Sequence, residues 1–196
     1  FMLARKKRMA FSQTSFQKKV DFRNRFPRVW DQKSLGSCTA QAAGAACVYS
    51  DIYDKDISIV VPSALFIYRM TRFLEGTVEL DNGATIRNTL KAIARFGYPR
   101  EDEWPYDISK YQEDPSEPVK LSAMSERSIP YERVNRNLLD FKEILDLQQP
   151  IIIGFSVFDS IYDPSTRQSG VIPLPKEGEV RRGGHAPGEP AHDSHP

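Results

Sequence analysis

Cysteine is almost missing from this chain: there are two in 196 residues, Cys38 and Cys47. So few exclude a disulfide framework of the kind that staples small secreted domains, and they point weakly to a reducing, cytoplasmic setting. Histidine is scarce too, limited to His185, His192 and His195. No Cys-x-x-Cys or His-x-x-x-His spacing supports a zinc site, and no metal or other cofactor is implied. No apolar run is long enough to span a bilayer. Met2-Leu3-Ala4, followed by basic residues, lacks the apolar core of a signal peptide. An excess of one charge is also absent, since 27 basic and 26 acidic side chains leave a formal net charge of +1. That balance argues against nucleic acid or an anionic membrane as the main partner. Arg5-Lys6-Lys7-Arg8 is a local basic run and reads as a solvated tail. There are no internal repeats. What is present is 40% hydrophobic content, enough to bury a core of ordinary size.

The most informative stretch is Asp31-Gln32-Lys33-Ser34-Leu35-Gly36-Ser37-Cys38-Thr39-Ala40. Thr39 to about Tyr53 is rich in alanine and free of proline, which predicts a helix. Ser37 can cap it, and Gly36 lets the backbone turn sharply into it. Cys38 then stands at the positive end of the helix dipole, where a thiolate is favoured. The small side chains suit a helix buried at the centre of a fold. On composition alone Cys38 reads equally well as an inert core residue; Gln32 and the Gly-Ser turn shift the balance towards a nucleophile. Cys47, nine positions further along, falls on the opposite side of the helix and reads as core.

A thiolate needs an imidazole partner. His185 stands in Arg182-Gly183-Gly184-His185-Ala186, where two glycines permit close backbone approach, whereas His192 and His195 lie in a polar, proline-rich tail. Taken together, Val20-Asp21-Phe22-Arg23, Gln32 to Cys38 and Gly184-His185 resemble the papain-like cysteine peptidases, family C1. Leu35-Gly36-Ser37-Cys38-Thr39-Ala40 is similar to the bacterial, archaeal and viral branch, as are Pro62-Ser63-Ala64-Leu65-Phe66-Ile67-Tyr68, Asn82-Gly83-Ala84-Thr85-Ile86-Arg87, Trp104-Pro105-Tyr106 and Gly170-Val171-Ile172-Pro173. The separation of His185 from Cys38 falls within the roughly 130–150 residues of the papain pair. The resemblance implies an α+β fold of two lobes, one helical and one built on antiparallel strands. It also implies that Cys38 attacks a peptide carbonyl while His185 handles the proton. The side-chain amide of Gln32 and the backbone N–H of Cys38 would form the oxyanion hole. Gly36, Ser37, Asn82, Gly83 and Gly184 would line the substrate cleft, though Asn82-Gly83 reads equally as a plain turn before the next helix. The implied partners are a peptide or protein substrate and a pro-segment or protein inhibitor. A catalytically silent relative that binds peptides through the same cleft is the alternative.

Four segments follow from the pattern. Residues 1–19 read as an N-terminal tail or the remnant of a pro-segment, with Phe1 in place of Met suggesting a cut start. Residues 20–125 form the helical lobe. A helix capped by Ser63 carries Phe66, Met70, Phe73 and Leu74 on one face and ends at Gly76; another carries Ile86, Leu90, Ile93 and Phe96 and stops at Gly97. Trp104-Pro105-Tyr106 and Asp107 to Pro118 read as the crossing loop. Residues 126–186 form a partial strand-rich lobe, in which Asn137 caps a short helix and Ile151 to Phe158 reads as a buried strand. Residues 187–196 read as an aberrant polar tail. From Ala186 onward the chain holds three prolines and one glycine in eleven residues, a composition unfit for a central strand. No Asn-Ser-Trp run follows His185 as it does in the family, which suggests a frameshift, a truncated reading frame or an engineered end. The expectation is an incomplete second lobe with bare strand edges and weak or no turnover.

Overall fold

The computed structural model describes residues 2–3, 16–26, 29–53, 59–126, 130–186, 188–189 and 191–193. Arg5 to Arg8 and His195 lie outside the described residues. The helix predicted to be central occupies that place: α1, Cys38–Tyr53, packs against the helices Ala64–Glu75 and Ile86–Phe96 and against the strands Met2–Leu3, Ile151–Ile152 and Gly188–Glu189. Its alanines explain how. Ala40, Ala42, Ala43 and Ala46 are buried, and with so little side chain between them and their neighbours the flanking elements can approach the backbone closely. Cys47 is fully buried in the same cluster, as a core residue should be.

The helical side is built from α2, Ala64–Glu75, and α3, Ile86–Phe96, followed by α4, Glu117–Ala123. The Ser63 hydroxyl accepts the Phe66 N–H at 3.2 Å, and Gly76 closes α2 in the left-handed region at φ 71°. Leu65, Tyr68, Leu90 and Ile93 fill the space between these helices and α1. Phe73, expected on the inner face, is half exposed and meets Phe96 edge-on at 6.0 Å. Gly97 ends α3 at φ 73°, and a Cβ there would stand 1.8 Å from the Ala123 carbonyl oxygen. That close approach is what admits only glycine.

The strand-rich side centres on a four-stranded antiparallel sheet in the order β3, β1, β4, β7, from Tyr131–Glu132, Met2–Leu3, Ile151–Ile152 and Gly188–Glu189. Two further antiparallel pairs join β2, Lys19–Asp21, to β8, Ala191–Asp193, and β5, Phe155–Phe158, to β6, Arg181–His185. Helix α5, Leu138–Asp146, capped by Asn137, places Ile144 and Leu145 beside Val20, Phe22, Ile151 and Tyr49 from the back of α1. A short helix α6, Pro164–Ser169, follows β5.

Three expectations are revised here. The run from Ile151 to Phe158 forms two strands rather than one: the ladder is interrupted at Ile153-Gly154, where a Cβ on Gly154 would meet Ile86 at 3.3 Å, and the two halves pair with different strands. In the second of these strands only Val157 is buried. Residues 1–19 do not form a free tail throughout, since Met2–Leu3 supplies an inner strand of the sheet. Nor is 187–196 merely a tail: Ile151 pairs with Glu189, and Val20 pairs with His192. An unpaired strand edge must find backbone partners, and Gly188–Glu189 meets that need at the sheet edge. Pro187 and Pro190 fall between these strand spans in the sequence rather than within them.

Candidate active site

The segment entering α1 is folded on itself before the helix begins. Asp31 Oδ1 accepts the Lys33 N–H at 2.8 Å, Lys33 sits at φ 52°, and the Leu35 N–H returns to the Gln32 carbonyl at 3.2 Å. Gln32 Nε2 donates to the Leu35 carbonyl at 3.0 Å, which orients the amide and leaves its second hydrogen available to a ligand. The Ser37 carbonyl receives the N–H groups of Ala40 and Gln41 at 2.9 and 3.0 Å, so Ser37 takes the N-cap position and Cys38 begins the helix. The Gly36 N–H donates to Asp81 at 2.9 Å, and a Cβ on Gly36 would stand 2.9 Å from the Asp81 carboxylate and 3.1 Å from the Gly83 nitrogen. Close packing at this point, and not a left-handed turn, is therefore what requires glycine.

His185 comes from the other side of the cleft, as the last residue of β6. It stands opposite Phe155 in the ladder, and the two rings meet edge-on with centroids 5.9 Å apart. Gln32, Cys38 and His185 together line two cavities of about 450 and 470 Å³. Gly36, Gly83, Gly184, Ile86, Gly154 and Arg181 also border the second. Gly83 holds φ 81°, a conformation that favours glycine. Cys38 is half exposed, reachable from the cleft. Burial pushes the His185 imidazole below its ordinary pKa, because the charged ring loses water. The neutral ring is then the resting form near pH 7, able to take a proton from a thiol.

The predicted site residues thus divide. Gln32, Cys38, His185, Gly36, Gly83 and Gly184 meet around one space. Ser37 does not line it; it is fully buried, and its hydroxyl bonds Tyr106. Asn82 is exposed beside Gly83. Three further residues shape the site. Trp30 lies across α1 at Gly44, whose missing Cβ leaves room for the indole at about 3 Å. Asp81 holds Gly36, and Tyr106 holds Gln32 and Ser37. Trp104-Pro105-Tyr106 stood out only as a motif of the crossing loop, because the partners of Tyr106 stand some 70 positions away in sequence. Among the described residues no group of three or more His, Cys, Asp or Glu could hold a metal ion, and no helix is long and apolar enough to cross a membrane.

A two-lobed α+β fold with a cysteine heading its central helix and a histidine on a facing strand is the architecture of papain-type thiol proteases. Comparison with known proteins agrees. Xylellain, a cysteine protease from Xylella fastidiosa, superposes with a TM-score of 0.81 at 33% identity, over 91% of this chain and 71% of that one. The digestive procathepsin L 3 of Tenebrio molitor larval midgut shares the fold with a TM-score of 0.67 at 15% identity, over 94% of this chain and 58% of its own. The uncharacterized peptidase C1-like protein L477 of Acanthamoeba polyphaga mimivirus is 34% identical over 164 residues, 80% of this chain. The chain spans about half of that relative's length, 53%. No protein-family model matches. The chain belongs to the papain-like cysteine peptidases, family C1.

Proposed function

We propose that the chain is an endopeptidase in which Cys38 is the nucleophile, His185 the proton carrier, and Gln32 with the Cys38 backbone N–H the oxyanion donors. The observation that supports this best is that Gln32, Cys38 and His185, far apart in sequence, line the same cavities. His185 takes the thiol proton, and the sulfur adds to the scissile carbonyl, whose electron pair moves onto oxygen. In this reading the Gln32 amide hydrogen not given to Leu35 is the donor to that charge. Collapse of the tetrahedral species expels the amine, which leaves with the proton from His185. Water then releases the acyl group from Cys38. Arg181, exposed at the rim of the cleft, adds positive charge beside this space.

Peptides or proteins are the substrates this reading requires, and the likeness to a procathepsin adds a pro-segment or protein inhibitor as a partner for the same cleft. Labelling with an epoxysuccinyl thiol inhibitor, combined with hydrolysis of a fluorogenic peptide pool, is the test. The expected result is labelling and hydrolysis that both vanish in Cys38→Ser. A folded chain that neither labels nor hydrolyses would instead favour a silent peptide-binding relative.

A further inference from the structure

The loop between Gln32 and Cys38 is gripped from two sides. On one side the Tyr106 hydroxyl donates its single proton to the Gln32 carbonyl at 2.9 Å. The Ser37 hydroxyl, 2.5 Å away, must then be the donor to the Tyr106 oxygen. One phenol therefore joins both ends of the loop. On the other side both Asp81 oxygens accept the Gly36 N–H, at 2.9 and 3.2 Å, while Asp81 Oδ1 also receives the hydroxyl of the fully buried Tyr68 at 2.5 Å. The two grips differ in what they hold. Asp81 fixes the middle of the loop against Gly83, whereas Tyr106 spans from the residue bearing the side-chain amide to the cap of the helix that Cys38 begins.

We propose that Tyr106 is a positioning residue for the oxyanion site: it sets the distance between the Gln32 amide and the Cys38 N–H without touching substrate. This rests on Gln32 and Cys38 acting as the oxyanion donors. The geometry makes the dependence direct, because the Gln32 amide is aimed by its bond to the Leu35 carbonyl, inside the loop that Tyr106 closes. Burial pushes the Tyr106 phenol up, while the hydroxyl of Ser37 and the amide of Gln41 oppose the rise, so the neutral, proton-donating form holds Gln32 across the working pH range. Oxyanion donors act only at short range, and a displacement of about 1 Å costs up to about 10²-fold.

The test is Tyr106→Phe in the full chain, which removes one oxygen and keeps the ring. Four quantities are measured beside the parent: kcat and KM for a fluorogenic peptide, the rate of Cys38 alkylation by iodoacetamide, and Tm. Alkylation forms a sulfur–carbon bond as iodide leaves with its electron pair, so it creates no carbonyl oxyanion. The expected result is a fall in kcat of about 10- to 100-fold with KM and the alkylation rate held within about twofold. Unchanged kcat in a parent that hydrolyses peptides would overturn the role of Tyr106 alone. An equal fall in turnover and alkylation, with lowered Tm, would also overturn it and leave a purely structural tyrosine. A parent that alkylates but never hydrolyses would overturn the peptidase reading and this proposal with it. If Tyr106→Phe does not fold, Ser37→Ala breaks one of the same two bonds and is expected to shift kcat in the same direction, with no shift counting against the proposal.

Discussion

Gln32 shows how much a single side chain depends on its surroundings. A glutamine six positions before a cysteine could sit in any surface loop; here its amide bonds Leu35 and its carbonyl receives both Leu35 and Tyr106. Gln32→Ala removes the oriented amide while leaving those backbone bonds in place. The expected outcome is a loss of about 10²–10³ in kcat with alkylation of Cys38 spared, read by parallel peptide hydrolysis and iodoacetamide kinetics. Cys38, His185 and Gln32 were all legible in the sequence as candidates, because the motif chemistry calls for those residue types, and the fold brings them to the same cavities. Asp81, Tyr106 and Trp30 were not legible as parts of the site. Tyrosine and aspartate in loops suit many roles, and only three-dimensional proximity to Gln32, Ser37 and Gly36 gives them this one.

At the scale of elements, helix ends carry the clearest agreement between sequence and structure. Ser63, Asn137, Gly76 and Gly97 stand where local backbone chemistry demands them. The Ser63 hydroxyl both accepts from Phe66 and donates to the Trp104 carbonyl at 2.5 Å, tying α2 to the loop that bears Tyr106. Ser63→Ala is expected to cost about 0.5–2 kcal/mol in urea unfolding. The two glycine stops separate cleanly. Gly76 has nothing within 4 Å of an added Cβ, so Gly76→Ala should cost only the left-handed backbone penalty of about 1–2 kcal/mol. At Gly97 the same change drives a methyl into the Ala123 carbonyl, and a substantially larger drop in Tm is expected. Strands were harder to read. An apolar run does not reveal that Gly154 divides it between two sheets, and pairs as short as Met2–Leu3 or Gly188–Glu189 carry no periodicity of their own.

For the whole molecule, the cleft couples stability to pH. The folded state holds His185 with a pKa below its value of 6.5, because burial penalises the charged ring. Between the unfolded and folded values the unfolded chain binds more protons, so stability is full above about pH 6.5 and declines as pH falls through that window. Urea midpoints measured from pH 7.5 down to 5 should fall in the parent and flatten in His185→Gln; an equal decline in both would assign the effect to other groups. The alanine helix that Cys38 heads was legible from helix propensity, and the resemblance carried by the order of motifs pointed to an α+β thiol peptidase family with Cys38 and His185 as candidate partners, since propensity and motif chemistry are local. Tertiary structure alone decided that both chain ends enter the sheets and that Ser37 is buried rather than lining the cleft. It alone also decided that Tyr106 closes the loop of Gln32. Strand pairing, burial and hydrogen bonds between remote residues arise from which surfaces the packed chain brings together, and no short stretch of sequence encodes that.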